Sequence, residues 1–102
     1  MKKILLVEDD KELNEIVCSY FKDNGFEVVG CFNGLEGLKL FEQTEFNLIL
    51  SDIMMPQMDG FTFVEKVRAK NSQIPIVFMT ARDDKFSKQL GYKIGVDDYI
   101  VK

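Results

Sequence analysis

An open α/β sandwich built on a parallel sheet is the fold class this sequence predicts, and three observations predict it. Short runs of apolar residues recur along the chain, each about as long as a strand buried on both faces. Between them lie segments with apolar residues at helical spacing, opened by Asp or Asn and in places closed by glycine. The two kinds alternate, strand then helix four times and then a last strand. That order requires a parallel sheet with right-handed crossovers.

Lys3 to Val7 reads as the first strand, apolar after its lysine. Asp10 can cap the helix that follows, where Leu13, Ile16, Val17, Tyr20 and Phe21 recur as one apolar face. Asn24-Gly25 ends that helix, and Phe26 to Cys31 forms the second strand. Asn33 and Glu36 make a capping pair for a second helix that turns Leu35, Leu38 and Phe41 inward and stops near Thr44. Leu48 to Asp52 is the third strand, and Asp59 caps a third helix with Phe63, Val64 and Val67 on its buried side. Ser72 to Pro75 is a turn into a fourth strand, Ile76 to Thr80. Asp83 or Asp84 caps a fourth helix carrying Phe86, Leu90 and Ile94, Gly95 closes it, and Tyr99 to Val101 begins a fifth strand. In the flavodoxin-like strand order 2-1-3-4-5, the switch point lies between the first and third strands.

Composition narrows the function classes. The 102 residues suffice for one domain with a real core, and 46% hydrophobic with 29% charged residues is ordinary for a globular protein. A formal net charge of −4 argues against nonspecific nucleic-acid binding by this segment. No apolar run approaches the roughly 18 residues of a membrane span. Glu8-Asp9-Asp10 interrupts the apolar start too early for a signal peptide, so a cytoplasmic location is expected. Cys18 and Cys31 stand in no metal-ligand spacing and read as reduced, semi-buried residues. The chain has no histidine, which removes the commonest general base, a His-containing zinc site and a self-phosphorylated histidine.

The strand ends carry the chemistry. All carboxyl ends of a parallel sheet lie along one edge, so Glu8 and Asp9, Asp52, Thr80 and Lys102 arrive together. Three carboxylates so close repel one another, and a hard cation with few oxygen ligands, Mg²⁺, relieves this. A cation, an amine and a hydroxyl around one acid suit placing a phosphoryl group on that acid. Each residue also has a plainer use. Asp9 and Asp10 suit helix capping, Asp52 a strand-end turn, Thr80 a β-forming position and Lys102 a solvated chain end. Met54, Met55 and Met58 suit packing, with only a backbone carbonyl there fit for Mg²⁺.

The segments LLVEDD at 5–10, LILSDIMMPQMDG at 48–60, PIVFMTA at 75–81 and GVDDYIVK at 95–102 resemble, in order and spacing, the receiver domain of two-component response regulators. The resemblance runs over essentially all of residues 1–102. It implies that Asp52 accepts a phosphoryl group from the phosphohistidine of a sensor histidine kinase. Asp9, Asp52 and the backbone carbonyl of Met54 would hold Mg²⁺ directly, with Glu8 acting through a metal-bound water. Lys102 would pair with the phosphoryl oxygens, Thr80 would hydrogen-bond the group beside the Ala81 N–H, and Tyr99 would move inward as Thr80 shifts. Asp97-Asp98-Tyr99 resembles the OmpR-type branch, whose members pair through the face made by the fourth helix, fifth strand and fifth helix, and Asp97 and Asp98 would supply the acidic half of interface salt bridges.

Members of that family continue past the lysine into a fifth helix, so a receiver domain lacking its last helix and its DNA-binding output domain is expected. The helix-one face of the sheet should then be partly bare, with self-association or reduced stability as the consequence. Met54 and Arg82, two residues after Asp52 and Thr80, carry no group that orients an attacking water, so the phosphoryl-aspartate should be long-lived. Competing readings are a haloacid-dehalogenase-type phosphatase, which would need a second acid at Met54, and a flavin binder, whose phosphate Glu8-Asp9-Asp10 would repel. The third is an interaction module that is not phosphorylated.

Overall fold

The computed structural model describes residues 2–102. It contains β1 (Lys3–Val7), α1 (Lys11–Asp23), β2 (Glu27–Cys31), α2 (Gly34–Gln43), β3 (Leu48–Ser51), α3 (Gly60–Lys70), β4 (Ile76–Thr80), α4 (Lys85–Lys93) and β5 (Asp98–Val101). The five strands form one parallel sheet in the order β2-β1-β3-β4-β5, as the alternation predicts. Every helix opens on a side-chain cap that satisfies an otherwise orphaned N–H. Asp10 accepts from Leu13, Asn33 from Glu36, Asp59 from Thr62 and Asp84 from Ser87. Asp84 is therefore the α4 cap, while Asp83 pairs with Lys88 at 2.6 Å.

Strand alternation divides the core in two. Leu5, Val7, Ile49, Ile76 and Phe78 face α2, α3 and α4 and form the larger cluster with Phe63, Val64 and Val67, all eight fully buried. Burial of each such side chain contributes roughly 1.5–3 kcal/mol. Ile4, Leu6, Val28 and Leu50 face the other way, where α1 covers them with Val17, Cys18 and Phe21. On that side Val77 and Met79 are only partly buried, and Ile100, which pairs with Met79, is 48% exposed.

Three helix faces differ from the sequence reading. Ile16 and Tyr20 are exposed, and the buried stripe of α1 runs through Asn14, Val17, Cys18 and Phe21. Leu35 and Phe86 also point outward. The cause is close packing: α2 and α4 bury small residues, Gly34 and Gly37 in one and Ser87 and Gly91 in the other. The bulk that fills those interfaces comes from the opposite side. A methyl group at Gly91 would lie 3.2 Å from the Phe78 ring, and one at Gly37 would lie 3.0 Å from Phe63. A large side chain cannot occupy the contact line of a helix held this close.

Candidate functional site

The carboxyl edge of the sheet is set by backbone pairing. Val7 is in register with Ser51 on one side and Cys31 on the other, so Glu8 and Asp52 emerge side by side just past their strands. The Asp52 N–H donates to Val7 O at 3.0 Å, and the Lys102 N–H donates to Thr80 O at 2.7 Å. These bonds fix the acid between β1 and β4 and hold the last residue of the chain against β4.

Glu8, Asp9 and Asp52 each offer a carboxylate oxygen, and these oxygens lie within 4.8 Å of one another. Asp9 is exposed, Asp52 is 8% exposed and Glu8 only 1%. The Lys102 amine bridges the two buried acids, 2.5 Å from Glu8 Oε1 and 2.9 Å from Asp52 Oδ2. Backbone N–H groups take further oxygens, Asp10 on Glu8 Oε2 and Ile53 on Asp52 Oδ1. Burial raises the Glu8 carboxyl above its usual range, only partly offset by Lys102 and the Asp10 N–H. Burial works to lower the Lys102 amine, but its bonds to the Glu8 and Asp52 carboxylates together outweigh that and raise it above its usual value. Three acids against one amine leave a negative surplus, a donor set of hard oxygens that fits Mg²⁺.

The loop after Asp52 is tightly made. The Met58 N–H donates to Pro56 O across Gln57, whose φ of 71° lies in the left-handed region, a conformation that costs roughly 1–3 kcal/mol for a residue with a side chain. The Gly60 N–H then reaches back to Ile53 O at 2.7 Å. A Cβ at Gly60 would stand 2.3 Å from Asp52 O, so only glycine lets α3 approach the end of β3 this closely. Met55 and Met58 pack on the core, whereas Met54 is 60% exposed at the site.

Thr80 and Tyr99 meet at the backbone of one residue, Arg82. The Arg82 N–H donates to Thr80 Oγ1 at 3.3 Å, and Tyr99 Oη donates to Arg82 O at 2.6 Å. Thr80 is fully buried, and the Tyr99 ring packs edge-on against Phe78 at 6.1 Å.

Of the residues singled out in the sequence, Glu8, Asp9, Asp52 and Lys102 come together, and Thr80 lies one strand away. Asp10 is the α1 cap rather than a member of the acid cluster. Asp97 sits at the opposite edge, where Oδ2 accepts from Arg68 at 3.1 Å and from the Ile76 N–H at 2.8 Å. Asp98 Oδ1 accepts from the Tyr99 N–H. The sequence reading passed over Asn14 and Arg68. Asn14 is a polar residue at the spacing of a buried stripe, a signal that was present in the periodicity. Arg68 is marked by nothing local, because its partners lie up to 29 residues away.

Comparison with known proteins shows the family and the fold. The family model for the response regulator receiver domain matches residues 4–102. The uncharacterized transcriptional regulatory protein YcbL of Bacillus subtilis is 43% identical over 98 residues, covering 96% of this chain and 43% of that protein. The transcriptional regulatory protein RprY of Bacteroides fragilis is 42% identical over 98% of this chain and 42% of its own length. The chain thus spans less than half of these curated relatives. Among solved structures, the Vibrio cholerae chemotaxis protein CheY4 superposes with a TM-score of 0.96 at 34% identity, over 100% of this chain and 87% of that one. The Thermotoga maritima response regulator TrrA, solved in complex with Mg²⁺-BeF, gives 0.92 at 30% identity with the same coverage.

Proposed function

From the premise that this chain belongs to the response regulator receiver domain family of two-component systems, we propose that residues 1–102 act as a phosphoacceptor unit with Asp52 as the acceptor. The observation that carries this is the cluster of three carboxylates within 4.8 Å, two of them, Glu8 and Asp52, held on the Lys102 amine. Asp52 Oδ2 attacks the phosphorus of a phosphohistidine on a sensor kinase. The new bond is O–P, the bond broken is P–N, and the imidazole leaves with a proton. Lys102, already 2.9 Å from the attacking oxygen, neutralises charge as the phosphoryl group arrives. Glu8, Asp9, Asp52 and the Met54 carbonyl are the groups to hold Mg²⁺, which when bound shields the incoming phosphoryl oxygens. A similar protein crystallised with Mg²⁺-BeF supports that choice of metal.

The Arg82 backbone supports a switching role. A phosphoryl oxygen on Asp52 accepts from the Thr80 hydroxyl, which now accepts from the Arg82 N–H, and draws that hydroxyl toward itself. A shift of Arg82 that follows loosens the Tyr99 hydroxyl, which is bonded to the Arg82 carbonyl one peptide further on. Two rotational positions of Tyr99 then report the state of Asp52, and phosphorylation shifts their populations. The exposed, apolar Met54 places no polar group to orient water, which favours a long-lived acyl phosphate.

Partner surfaces follow from exposure. Ile16, Tyr20 and Ile100 on the α1 side, and Phe86 and Tyr92 on α4, favour association with a second copy. Asp98 is exposed for such a contact, whereas Asp97 is engaged within the chain. DNA binding belongs to a further domain of a longer regulator, given the acidic balance of this one. Among the described residues, no helix is long and apolar enough to cross a membrane.

Incubation with Mg²⁺ and acetyl phosphate, followed by mass measurement, tests the reading. A single phosphoryl adduct, absent in Asp52→Asn, is the expected result. No adduct leaves an interaction module, and sustained turnover of phosphate esters makes the chain a phosphatase.

A further inference from the structure

We propose that Asn14 is a positioning residue for the acids Glu8 and Asp9, a role that rests on the metal-dependent reading above. Asn14 lies in the first turn of α1 and is 4% exposed. Its Nδ2 donates to two backbone carbonyls, Glu8 O at 3.0 Å and Cys31 O at 2.9 Å. Cys31 O also accepts the Glu8 N–H at 3.0 Å. The β1–β2 ladder ends at the Val7–Cys31 pair, and the amide adds one side-chain rung beyond it.

That rung acts on the peptide joining Glu8 to Asp9. The Glu8 carbonyl belongs to this peptide, so fixing it fixes the direction in which Asp9 leaves the strand. The other end of the turn is tied as well. The Asn14 N–H donates to Asp10 O at 2.8 Å, and the Asp10 N–H donates to Glu8 Oε2 at 3.1 Å. Glu8, Asp9 and Asp10 are thereby held from both sides by one residue of α1. An apolar residue at position 14 would continue the stripe of Val17, Cys18 and Phe21 but would leave the Glu8 carbonyl without this donor.

Gly30 in β2 is the counterpart. Its φ is not in the left-handed region, so backbone conformation does not demand glycine there. Space does: a Cβ at Gly30 would lie 2.5 Å from Asn14 Oδ1. The missing side chain admits the amide and sets how close α1 lies to the strand.

Mg²⁺ titration of the whole chain, followed through the backbone amide resonances of residues 8–10 and 52, tests this. In Asn14→Leu, Mg²⁺ binding weakens about tenfold, because groups that orient metal ligands typically carry an effect of this size. In the metal-free chain, the Glu8 amide also loses hydrogen-exchange protection while amides of α3 and β4 keep theirs. Gly30→Ala moves both readouts in the same direction, and adding it to Asn14→Ala changes neither further, since both act on one contact. Should Asn14→Leu not fold, Asn14→Ser, too short to span both carbonyls, carries the same measurement. Lowered thermal stability with Mg²⁺ affinity within about twofold of the unaltered chain overturns the assignment, because a merely structural amide predicts that pattern. Failure of the unaltered chain to bind Mg²⁺ at millimolar concentration instead overturns the metal-dependent reading and takes the assignment with it.

Discussion

The two edges of the sheet both gather charge, but in opposite balance. At the amino edge of β4 and β5, the Arg68 guanidinium uses all five of its N–H groups. Nε and Nη2 donate to Gly95 O, Nη1 to Ile74 O and Asn71 O, and Nη2 also to Asp97 Oδ2. Its charge is matched by one acid and spread over neutral carbonyls. At the carboxyl edge, three acids share one amine. A cluster whose donors and charges are all matched is a tie between elements. One with surplus charge of a single sign requires a ligand, and its own folding stability is reduced in the meantime.

Arg68→Ala tests the comparison most severely. It should destabilise the fold by about 3 kcal/mol, measured by denaturant unfolding, because the Gly95 and Ile74 carbonyls lose their donor. Mg²⁺ affinity per folded molecule should stay unchanged. A small stability loss with a large metal effect would erase the distinction between the edges.

Alkaline pH should act from the carboxyl edge. Burial pushes the Cys31 thiol from 9.0 up to about 12. Between those values the unfolded thiol ionises while the folded one keeps its proton, so stability falls as pH rises. The slope from this residue reaches at most about 1.4 kcal/mol per pH unit. Lys102 acts in the same sense. Its raised amine contributes stability that is full below 10.5 and lost as pH climbs through the folded value. Unfolding curves of Cys31→Ala should therefore show a shallower alkaline decline, and an unchanged decline would remove Cys31 as its source.

Lys102→Met should tighten Mg²⁺ binding several-fold while slowing phosphorylation by acetyl phosphate. The amine competes with the metal for Glu8 and Asp52 but assists the incoming phosphoryl group. Weaker Mg²⁺ binding would show that Lys102 organises the acids instead of competing for them. The smallest effect belongs to Asp97→Asn, which keeps an acceptor for the Ile76 N–H and loses only a largely exposed ion pair. About 0.5–1 kcal/mol in an unfolding titration is expected.

Much of this was legible in the chain. The strand runs, caps and glycine stops specify elements through local physics, and the acids at 8, 9 and 52 form a candidate metal site once the strands are aligned. What misled was orientation. Ile16, Tyr20, Leu35 and Phe86 satisfy helical periodicity yet point to solvent. An apolar residue beside a contact line has nearly the same spacing as one on it, and glycines at 37 and 91 look like weak helix positions when they are contact points.

The sequence by itself determined the alternation of strand and helix, hence a parallel sheet and a single edge for its functional groups. It also determined which groups those are, because their identity is chemical. The tertiary structure alone decided how they are held. It bridges Glu8 and Asp52 with Lys102, 94 residues from Glu8 in the chain, seats Asn14 on the Glu8 carbonyl and joins Thr80 to Tyr99 through the backbone of Arg82. Those contacts depend on differences of a few tenths of an ångström in how closely the helices approach, set by the volume of every side chain at each interface, and no local stretch of sequence contains that sum.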